Sequence, residues 1–213
     1  MTKVKICGLR CEDDITYVNE TLPDYIGFVF ARSKRQVSLR EACKLAALLD
    51  RRIKKVGVFV DENIQTVVKT VEECGLDVIQ LHGDEDINYI SDVKNRLPEI
   101  LKSKNSIEIW KAIKIQSEED IDKMSKYDTD AFLLDTYSAG SSGGTGRTFD
   151  WNIAVKGKKY GSIVLAGGLN CNNVKSAIDK VKPYCVDVSS GVETDGRKDR
   201  DKIKVFIDTV RKS

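Results

Sequence analysis

The sequence predicts a single α/β domain over residues 1–213, folded as a closed (β/α)8 barrel with eight parallel strands. Eight short apolar runs recur along the chain, and amphipathic helical segments separate them. Strands that alternate with helices imply a parallel sheet, and 213 residues lie near the lower end of what eight such units require. No strong internal repeat, low-complexity tract or linker divides the chain. A doubly wound open sheet is the alternative architecture.

The eight strands are short runs of β-forming residues. In chain order they are VKIC (4–7), YIGFVF (25–30), KVGVFV (55–60), DVIQLH (77–82), IEIWKAI (107–113), DAFLLD (130–135), SIVLAG (162–167) and YCVDVS (184–189). Three segments between and after them repeat apolar residues at i, i+3, i+4 and i+7, which places an apolar stripe on one helix face. They are Ile64/Val67/Val68/Val71, Val174/Ala177/Ile178/Val181 and Ile203/Phe206/Ile207/Val210. We therefore predict surface helices that cover a sheet.

Two helix starts carry capping signals. Ser38-Leu39-Arg40-Glu41 has the S-x-x-E spacing of a capping box, and Asn170 is placed to cap the helix that carries Val174. The sixth helix is predicted to be the weakest, because only the short segment Asp150-Trp151-Asn152-Ile153 precedes the next strand.

Charge and hydropathy exclude several classes of function. The chain has 35 Lys+Arg and 33 Asp+Glu, a net charge of +2, and the two signs are interspersed. This pattern predicts no nucleic-acid partner and no membrane-surface partner, and it favours a small-molecule ligand. No apolar run approaches the roughly 18 residues of a membrane span, and no signal-peptide pattern occurs. We expect a cytoplasmic protein.

The six cysteines lie at positions 7, 11, 43, 74, 171 and 185 and include no C-x-x-C pair. In a reducing compartment we expect them to be free thiols, so a zinc site and a disulfide framework are both disfavoured. Cys43, Cys74 and Cys185 are predicted to be packed apolar thiols. His82 is the one histidine, which excludes a histidine-based metal cluster.

Chemically unusual residues collect at the predicted carboxyl ends of the strands, where the βα loops of a barrel open on one face. Cys7 ends the first strand, Arg35 follows the second, His82 ends the fourth and Asp135 ends the sixth. Residue type alone leaves Cys7 open between a buried apolar side chain, a metal ligand, half of a disulfide and a catalytic thiol.

Two glycine-containing turns, AGGLN (166–170) and VSSGVE (188–193), follow the seventh and eighth strands. Backbone N–H groups at such turns attract anions, and a following helix dipole adds to the attraction. Together, at the loops where barrels most often hold phosphate, they predict a phosphate site. The longer loop SAGSSGGTGRTFDW (138–151) has Ser141 where an NTPase phosphate loop requires glycine, so we predict a mobile cover instead.

Seven blocks of the sequence carry a resemblance to a known family. They are KICGLR (5–10), GFVFARSKRQVS (27–38), VGVFVDE (56–62), IQLHGDE (79–85), LLDTYSAGSSGGTGRTFDW (133–151), AGGLN (166–170) and DVSSGVETDGRKD (187–199). In this order they resemble the signature blocks of phosphoribosylanthranilate isomerase, a TIM-barrel enzyme of tryptophan biosynthesis. Two features depart from that pattern: Lys34 stands where the family usually has proline, and segment 95–106 is longer than usual.

The resemblance implies an Amadori rearrangement of N-(5-phosphoribosyl)anthranilate to 1-(2-carboxyphenylamino)-1-deoxyribulose 5-phosphate, with no metal and no redox cofactor. Ring opening needs an acid, and loss of the C2′ proton needs a base. By resemblance, Cys7 is the general base and Asp135 the general acid. Cys7 must be substantially thiolate near neutral pH, and Lys5, on the same strand face, is expected to lower its pKa. Burial is expected to raise the pKa of Asp135.

The other site residues are expected to bind the phosphosugar substrate. By resemblance, Arg35 grips the anthranilate carboxylate through two N–H groups. Asp187 is expected to orient a ribose hydroxyl or to hold its loop, and His82 is either a substrate contact or a structural histidine with no catalytic step. The phosphate is placed on Gly167, Gly168, Ser189, Ser190 and Gly191, mostly through backbone amides. We expect a monomer or a homodimer.

Two rival functions stay open at this point. Indole-glycerol-phosphate synthase, a barrel enzyme that forms carbon–carbon bonds, shares the phosphate loops, but it is expected to carry catalytic lysine and glutamates where this chain has Cys7 and Asp135. A catalytically silent phosphosugar-binding protein is disfavoured by the intact set of Cys7, Asp135 and Arg35.

Overall fold

The computed structural model describes residues 1–100, 106–136 and 148–213, with side chains at all of these positions except 98–100. Eight parallel strands form a closed barrel in sequential order, with the first strand paired to the last. They are β1 Lys3–Cys7, β2 Tyr25–Val29, β3 Lys54–Phe59, β4 Val78–Leu81, β5 Glu108–Ile115, β6 Ala131–Thr136, β7 Ile163–Leu165 and β8 Cys185–Val188. The predicted barrel is confirmed, and the open sheet is excluded.

Helices follow the strands around the outside of the barrel. They are α1 Glu12–Thr21, α2 Leu39–Ala47, α3 Ile64–Cys74, α4 Ile87–Ile100, α5 Glu119–Asp122, α6 Trp151–Gly157, α7 Val174–Val181 and α8 Arg200–Arg211. A short antiparallel pair, β9 (Glu193–Thr194) and β10 (Arg197–Lys198), separates β8 from α8. Among the described helices, none is long and apolar enough to cross a bilayer.

The sixth helix is not the weakest. Asp150 caps α6 by accepting a hydrogen bond from the Asn152 N–H at 2.9 Å, and the helix continues to Gly157. The α5 helix is shorter, with four residues before a 3₁₀ turn over Lys123–Lys126. Most of the predicted cover loop, residues 137–147, and residues 101–105 of the long segment lie outside the described ranges.

The barrel has two apolar layers because side chains alternate along each strand. One cluster, which includes Tyr25, Trp110 and Leu133, fills the barrel interior. A larger cluster packs the outer strand faces against the helices, and Val4 and Ile6 of β1 belong to it. The alternate residues Lys5 and Cys7 therefore point inward, as the strand period predicted, and Lys5 is 0% exposed.

The helix starts give one confirmed prediction and one correction. At α2, Ser38 and Glu41 form the full capping box, with the Glu41 carboxylate accepting from the Ser38 N–H at 2.8 Å. The prediction for Asn170 is wrong, since α7 begins at Val174 and its N-cap is Asn173. Asn170 accepts from the Asn172 N–H at 2.9 Å and so caps the extra turn that leads into the helix.

The cysteines also require a correction. Cys43 on α2 and Cys74 at the end of α3 form a disulfide that joins these two neighbouring helices, so they are not free thiols. The two cysteines meet because α2 packs beside α3. They are 31 residues apart in sequence, and no local sequence pattern predicts that they pair. Cys185 is a fully buried free thiol, as predicted.

Candidate active site

A cavity of about 410 Å³ opens at the carboxyl ends of the barrel strands. Six residues that the sequence singled out line it: Cys7, Arg35, His82, Asp135, Asp187 and Ser189. Apolar residues, Phe30 and Val58 among them, and polar ones, such as Glu62 and Gln80, form the rest of the wall. Closure of the barrel therefore brings together side chains that come from both halves of the chain.

Cys7 ends β1 and its thiol is mostly enclosed, with 8% of the residue exposed. Gly27 on the neighbouring strand makes room for it, because an added Cβ at Gly27 would lie 2.7 Å from Cys7 Sγ. Burial raises the pKa of the Cys7 thiol, and the charges of Lys5 and Lys198 act in the opposite direction without cancelling it. The predicted effect of Lys5 has the right sign, but the net shift of the Cys7 pKa is upward, away from the thiolate that the sequence analysis expected near neutral pH.

Lys5 lies inside the barrel with two acceptors. Its Nζ donates to Gln80 Oε1 at 2.9 Å and to Asp187 Oδ2 at 3.0 Å. Although burial opposes the charge, the neighbouring Asp187 and Cys7 raise the pKa of Lys5 above its ordinary value. A permanent cation therefore lies next to the thiol.

Asp135 ends the inward-facing part of β6, and its two carboxylate oxygens have different neighbours. Oδ1 accepts from the Thr136 N–H at 2.8 Å, and Oδ2 lies 3.4 Å from His82 Nε2. The other imidazole nitrogen, His82 Nδ1, lies 2.8 Å from Gln80 Nε2. His82 is thus placed between Asp135 and a buried amide.

The turns after β7 and β8 meet at the rim of the site. Gly167 and Gly168 have φ of +80° and +69°, a left-handed backbone that glycine adopts without steric cost. An added Cβ at Gly167 would lie 2.9 Å from Asp135 Oδ1, and one at Gly191 would overlap the Leu169 carbonyl oxygen. Within the described ranges, the N–H groups of Gly167 and Gly168 donate to no protein acceptor.

Arg35 forms an ion pair that the sequence did not indicate. Its Nε and Nη2 donate to the two carboxylate oxygens of Glu193 at 2.7 and 2.8 Å. Against the effect of burial, hydrogen bonds from Arg35 and the charge of Lys198 lower the pKa of Glu193 to about 2. A guanidinium has five N–H donors, and among the described residues the Nη1/Nη2 edge of Arg35 has no acceptor, so a second carboxylate can bind there.

Ser189 joins the last strand of the barrel to the first. Its hydroxyl donates to the Cys7 carbonyl at 2.9 Å, and its own carbonyl accepts from Lys198 Nζ at 2.9 Å. The hydroxyl of Ser189 therefore positions the end of β1, which the sequence had not suggested.

Four residues in or beside the site had no predicted role: Gly27, Gln80, Glu193 and Lys198. All four lie within blocks quoted for the family resemblance, so those blocks were the available signal. Glu193 and Lys198 reach the site only because the β9–β10 pair folds back over it, and no periodic pattern predicts so short a hairpin.

Comparison with known proteins identifies the family. A family model described as "N-(5'phosphoribosyl)anthranilate (PRA) isomerase" matches residues 4–209. The chain belongs to the phosphoribosylanthranilate isomerase family. The N-(5'-phosphoribosyl)anthranilate isomerase of Thermoanaerobacter pseudethanolicus is 50% identical over 212 residues, which cover 99% of this chain and 98% of that protein. The relation therefore extends over both whole chains.

Solved structures of phosphoribosylanthranilate isomerases have the same fold. The enzyme from Thermotoga maritima is 35% identical, with a TM-score of 0.87 and full coverage of both chains. A phosphoribosylanthranilate isomerase in complex with reduced 1-(o-carboxyphenylamino)-1-deoxyribulose 5-phosphate is 34% identical, with a TM-score of 0.83 and the same coverage. These likenesses agree with the barrel described above.

One departure from the usual phosphoribosylanthranilate isomerase pattern lies beside the cavity. Lys34 stands in place of the usual proline and is exposed. Its carbonyl accepts a hydrogen bond from Arg10 Nη1 at 2.9 Å. A contact from the β1–α1 loop therefore holds the turn before Arg35, at a position where no proline ring restricts the backbone.

Proposed function

We propose that this chain converts N-(5′-phosphoribosyl)anthranilate to 1-(2-carboxyphenylamino)-1-deoxyribulose 5-phosphate, in tryptophan biosynthesis, by general acid–base catalysis. The observation that carries the proposal is that Cys7, Asp135 and Arg35 line one cavity at the catalytic face of a barrel. Membership of the phosphoribosylanthranilate isomerase family supports the same reaction.

Asp135 and Cys7 divide the proton transfers between them. Protonated Asp135 donates to the furanose oxygen, the bond from C1′ to that oxygen breaks, and the anilino nitrogen forms a C=N bond with C1′. The Cys7 thiolate then removes the C2′ proton, which gives an enolamine. The enol proton then passes to the Asp135 carboxylate and the Cys7 thiol gives its proton to C1′, which yields the ketone and restores both groups, so the reaction has no net proton uptake. The charge of Lys5 lowers the pKa of Cys7 against the effect of burial, so Lys5 stabilises the thiolate that acts as the base.

Binding of the substrate uses the remaining wall of the cavity. Asp187 Oδ1 is buried and, among the described residues, has no hydrogen-bond partner, so it is free to accept from a ribose hydroxyl. The N–H groups of Gly167 and Gly168, which have no acceptor in the part of the chain that the structure describes, supply donors for the phosphate. Phe30 and Val58 offer an apolar surface for the aromatic ring.

The proposed binding of the anthranilate carboxylate by Arg35, called here the carboxylate clamp, gives a first prediction. Arg35→Ala is expected to weaken binding of a product analogue that carries the anthranilate carboxylate by roughly 10-fold to 100-fold, since hydrogen bonds between charged groups contribute about 1.5–3 kcal/mol. Binding of ribose 5-phosphate should change by less than about threefold, because it lacks the carboxylate. Titration calorimetry measures both. Arg40→Ala, which replaces an exposed arginine of α2, is the matched control. Equal losses for the two ligands would place the clamp elsewhere.

The phosphate site gives a second prediction. Gly168→Val is expected to raise KM roughly tenfold or more, because a side chain at this positive φ strains the turn and hinders approach to the backbone donors. Inorganic phosphate should inhibit the unsubstituted protein competitively and the variant far less. Gly196→Val is the control, since Gly196 has φ of +73° and open space around its Cβ position. If both variants and wild type have a similar KM, the phosphate does not bind at the Gly168 turn.

A fluorescence assay tests the function as a whole. Purified protein is mixed with fluorescent phosphoribosylanthranilate, and both the fluorescence and any indole-glycerol phosphate are followed. The isomerase should abolish the fluorescence without forming indole-glycerol phosphate. Formation of that compound would favour the synthase, and a persistent signal with saturable binding would favour the silent binding protein.

A further inference from the structure

Four side chains form a continuous line from the barrel interior to the cavity. Lys5 Nζ donates to Gln80 Oε1 at 2.9 Å, Gln80 Nε2 lies 2.8 Å from His82 Nδ1, and His82 Nε2 lies 3.4 Å from Asp135 Oδ2. The inner two residues are closed off from solvent, with Lys5 0% and Gln80 1% exposed. Water therefore has little access to substitute for these contacts.

The direction of the two hydrogen bonds along this line, from Lys5 to Gln80 and between Gln80 and His82, is fixed by chemistry. A lysine ammonium only donates, so Gln80 must present its carbonyl oxygen to Lys5. The amide NH₂ of Gln80 then faces His82, and because an NH₂ only donates, His82 Nδ1 must accept. A neutral imidazole with an acceptor at Nδ1 carries its proton on Nε2, the nitrogen that faces Asp135.

The other protonation states of His82 each lose a buried hydrogen bond. In the other tautomer and in the imidazolium, Nδ1 carries a proton. Two hydrogen-bond donors, this N–H and the Gln80 NH₂, would then face each other with no acceptor between them. Rotating the amide to accept from His82 would instead turn its NH₂ toward the Lys5 ammonium. Either arrangement leaves a buried polar group unsatisfied, which costs about 1–3 kcal/mol.

We propose that Gln80 is a positioning residue that, held by Lys5, fixes His82 as the neutral tautomer with its proton on Nε2, the nitrogen that lies 3.4 Å from Asp135 Oδ2. The tautomer follows from the contacts alone, whereas its catalytic consequence rests on the proposed function. When Asp135 gives its proton to the furanose oxygen it becomes a carboxylate, and a fixed donor beside it stabilises that developing charge. The separation of 3.4 Å suits a contact that shortens once the carboxylate carries its charge.

NMR tests the tautomer without any assay of activity. His82 is the one histidine of the chain, so a long-range ¹H–¹⁵N spectrum contains a single imidazole. The expected result at neutral pH is an unprotonated Nδ1 and a protonated Nε2. Gln80→Glu has nearly the same shape, but its carboxylate can accept from both Lys5 and His82, so it should place a proton on Nδ1. A protonated Nδ1 in the unsubstituted protein, or an unchanged pattern in Gln80→Glu, would overturn the proposal.

Kinetics tests the catalytic consequence. Gln80→Met removes the amide and keeps the side-chain length, and it is expected to lower kcat roughly tenfold or more while KM changes by less than about twofold. Gln65→Met, which replaces an exposed glutamine of α3, is the control. Thermal unfolding checks that all variants fold. A kcat within twofold of wild type would refute the positioning role even if the tautomer is as expected. An unsubstituted protein with the expected tautomer and no isomerase activity would refute the proposed function and leave the tautomer assignment standing.

Discussion

Cys7→Ala is expected to lower kcat by about 10²–10⁴-fold, the range typical for removal of a general base. Alanine keeps the small volume at the end of β1 but cannot accept the C2′ proton. Affinity for a product analogue should stay within about threefold of wild type, because the groups proposed to hold the carboxylate and the phosphate are untouched. Steady-state kinetics and calorimetry measure the two effects. Cys171→Ala, a half-buried free cysteine outside the cavity, is the control. Residual kcat within tenfold of wild type would remove Cys7 from the mechanism.

The pH dependence tests the same assignment through the charges around Cys7. The base acts as a thiolate, so activity should rise with pH as Cys7 loses its proton, and burial places this rise above the pKa of an ordinary thiol. Lys198 acts against the effect of burial and lowers the pKa of Cys7, so Lys198→Met should move the rise in kcat/KM to still higher pH. A shift to lower pH would contradict the base assignment.

Asp135→Asn is expected to cost about 10²–10⁴-fold in kcat, equivalent to roughly 3–5 kcal/mol of transition-state stabilisation. Asparagine keeps an oxygen to accept from the Thr136 N–H, so the end of β6 should hold its shape. It has no proton to give to the furanose oxygen, so ring opening should become limiting while ligand affinity stays near that of wild type. Asp128→Asn, a highly exposed aspartate that precedes the same strand, is the control. Near-normal turnover in Asp135→Asn would overturn the acid assignment.

The architecture was predictable because buried strands and amphipathic helices leave distinct local patterns. The apolar runs at 25–30 and 55–60 became β2 and β3 with their ends moved by a single residue. Features that depend on contacts between elements were missed. The Cys43–Cys74 disulfide needs α2 and α3 side by side, and Asn170 was misplaced because an additional turn precedes α7.

The site was predictable to the extent that position along a strand determines it. Cys7, His82 and Asp135 were placed correctly at one face because parallel strands in a barrel share their carboxyl ends. The direction of the Cys7 pKa shift could not be predicted, since that pKa depends on the burial of the thiol and on Lys198, which is distant in sequence. The ion pair between Arg35 and Glu193 could not be predicted either, because Glu193 lies on a two-residue strand that has no periodic sequence pattern.

The pairing of β1 with β8 also determines when the protein can become active as it folds. Lys3 lies opposite Cys185 in this pair, and the Lys5–Asp187 ion pair next to Cys7 spans the same seam. Contacts between residues so far apart in sequence carry a large loop-closure entropy and form slowly. During refolding from denaturant we therefore expect the helical circular-dichroism signal to return before turnover does. The lag between the two signals measures the time that the barrel needs to close.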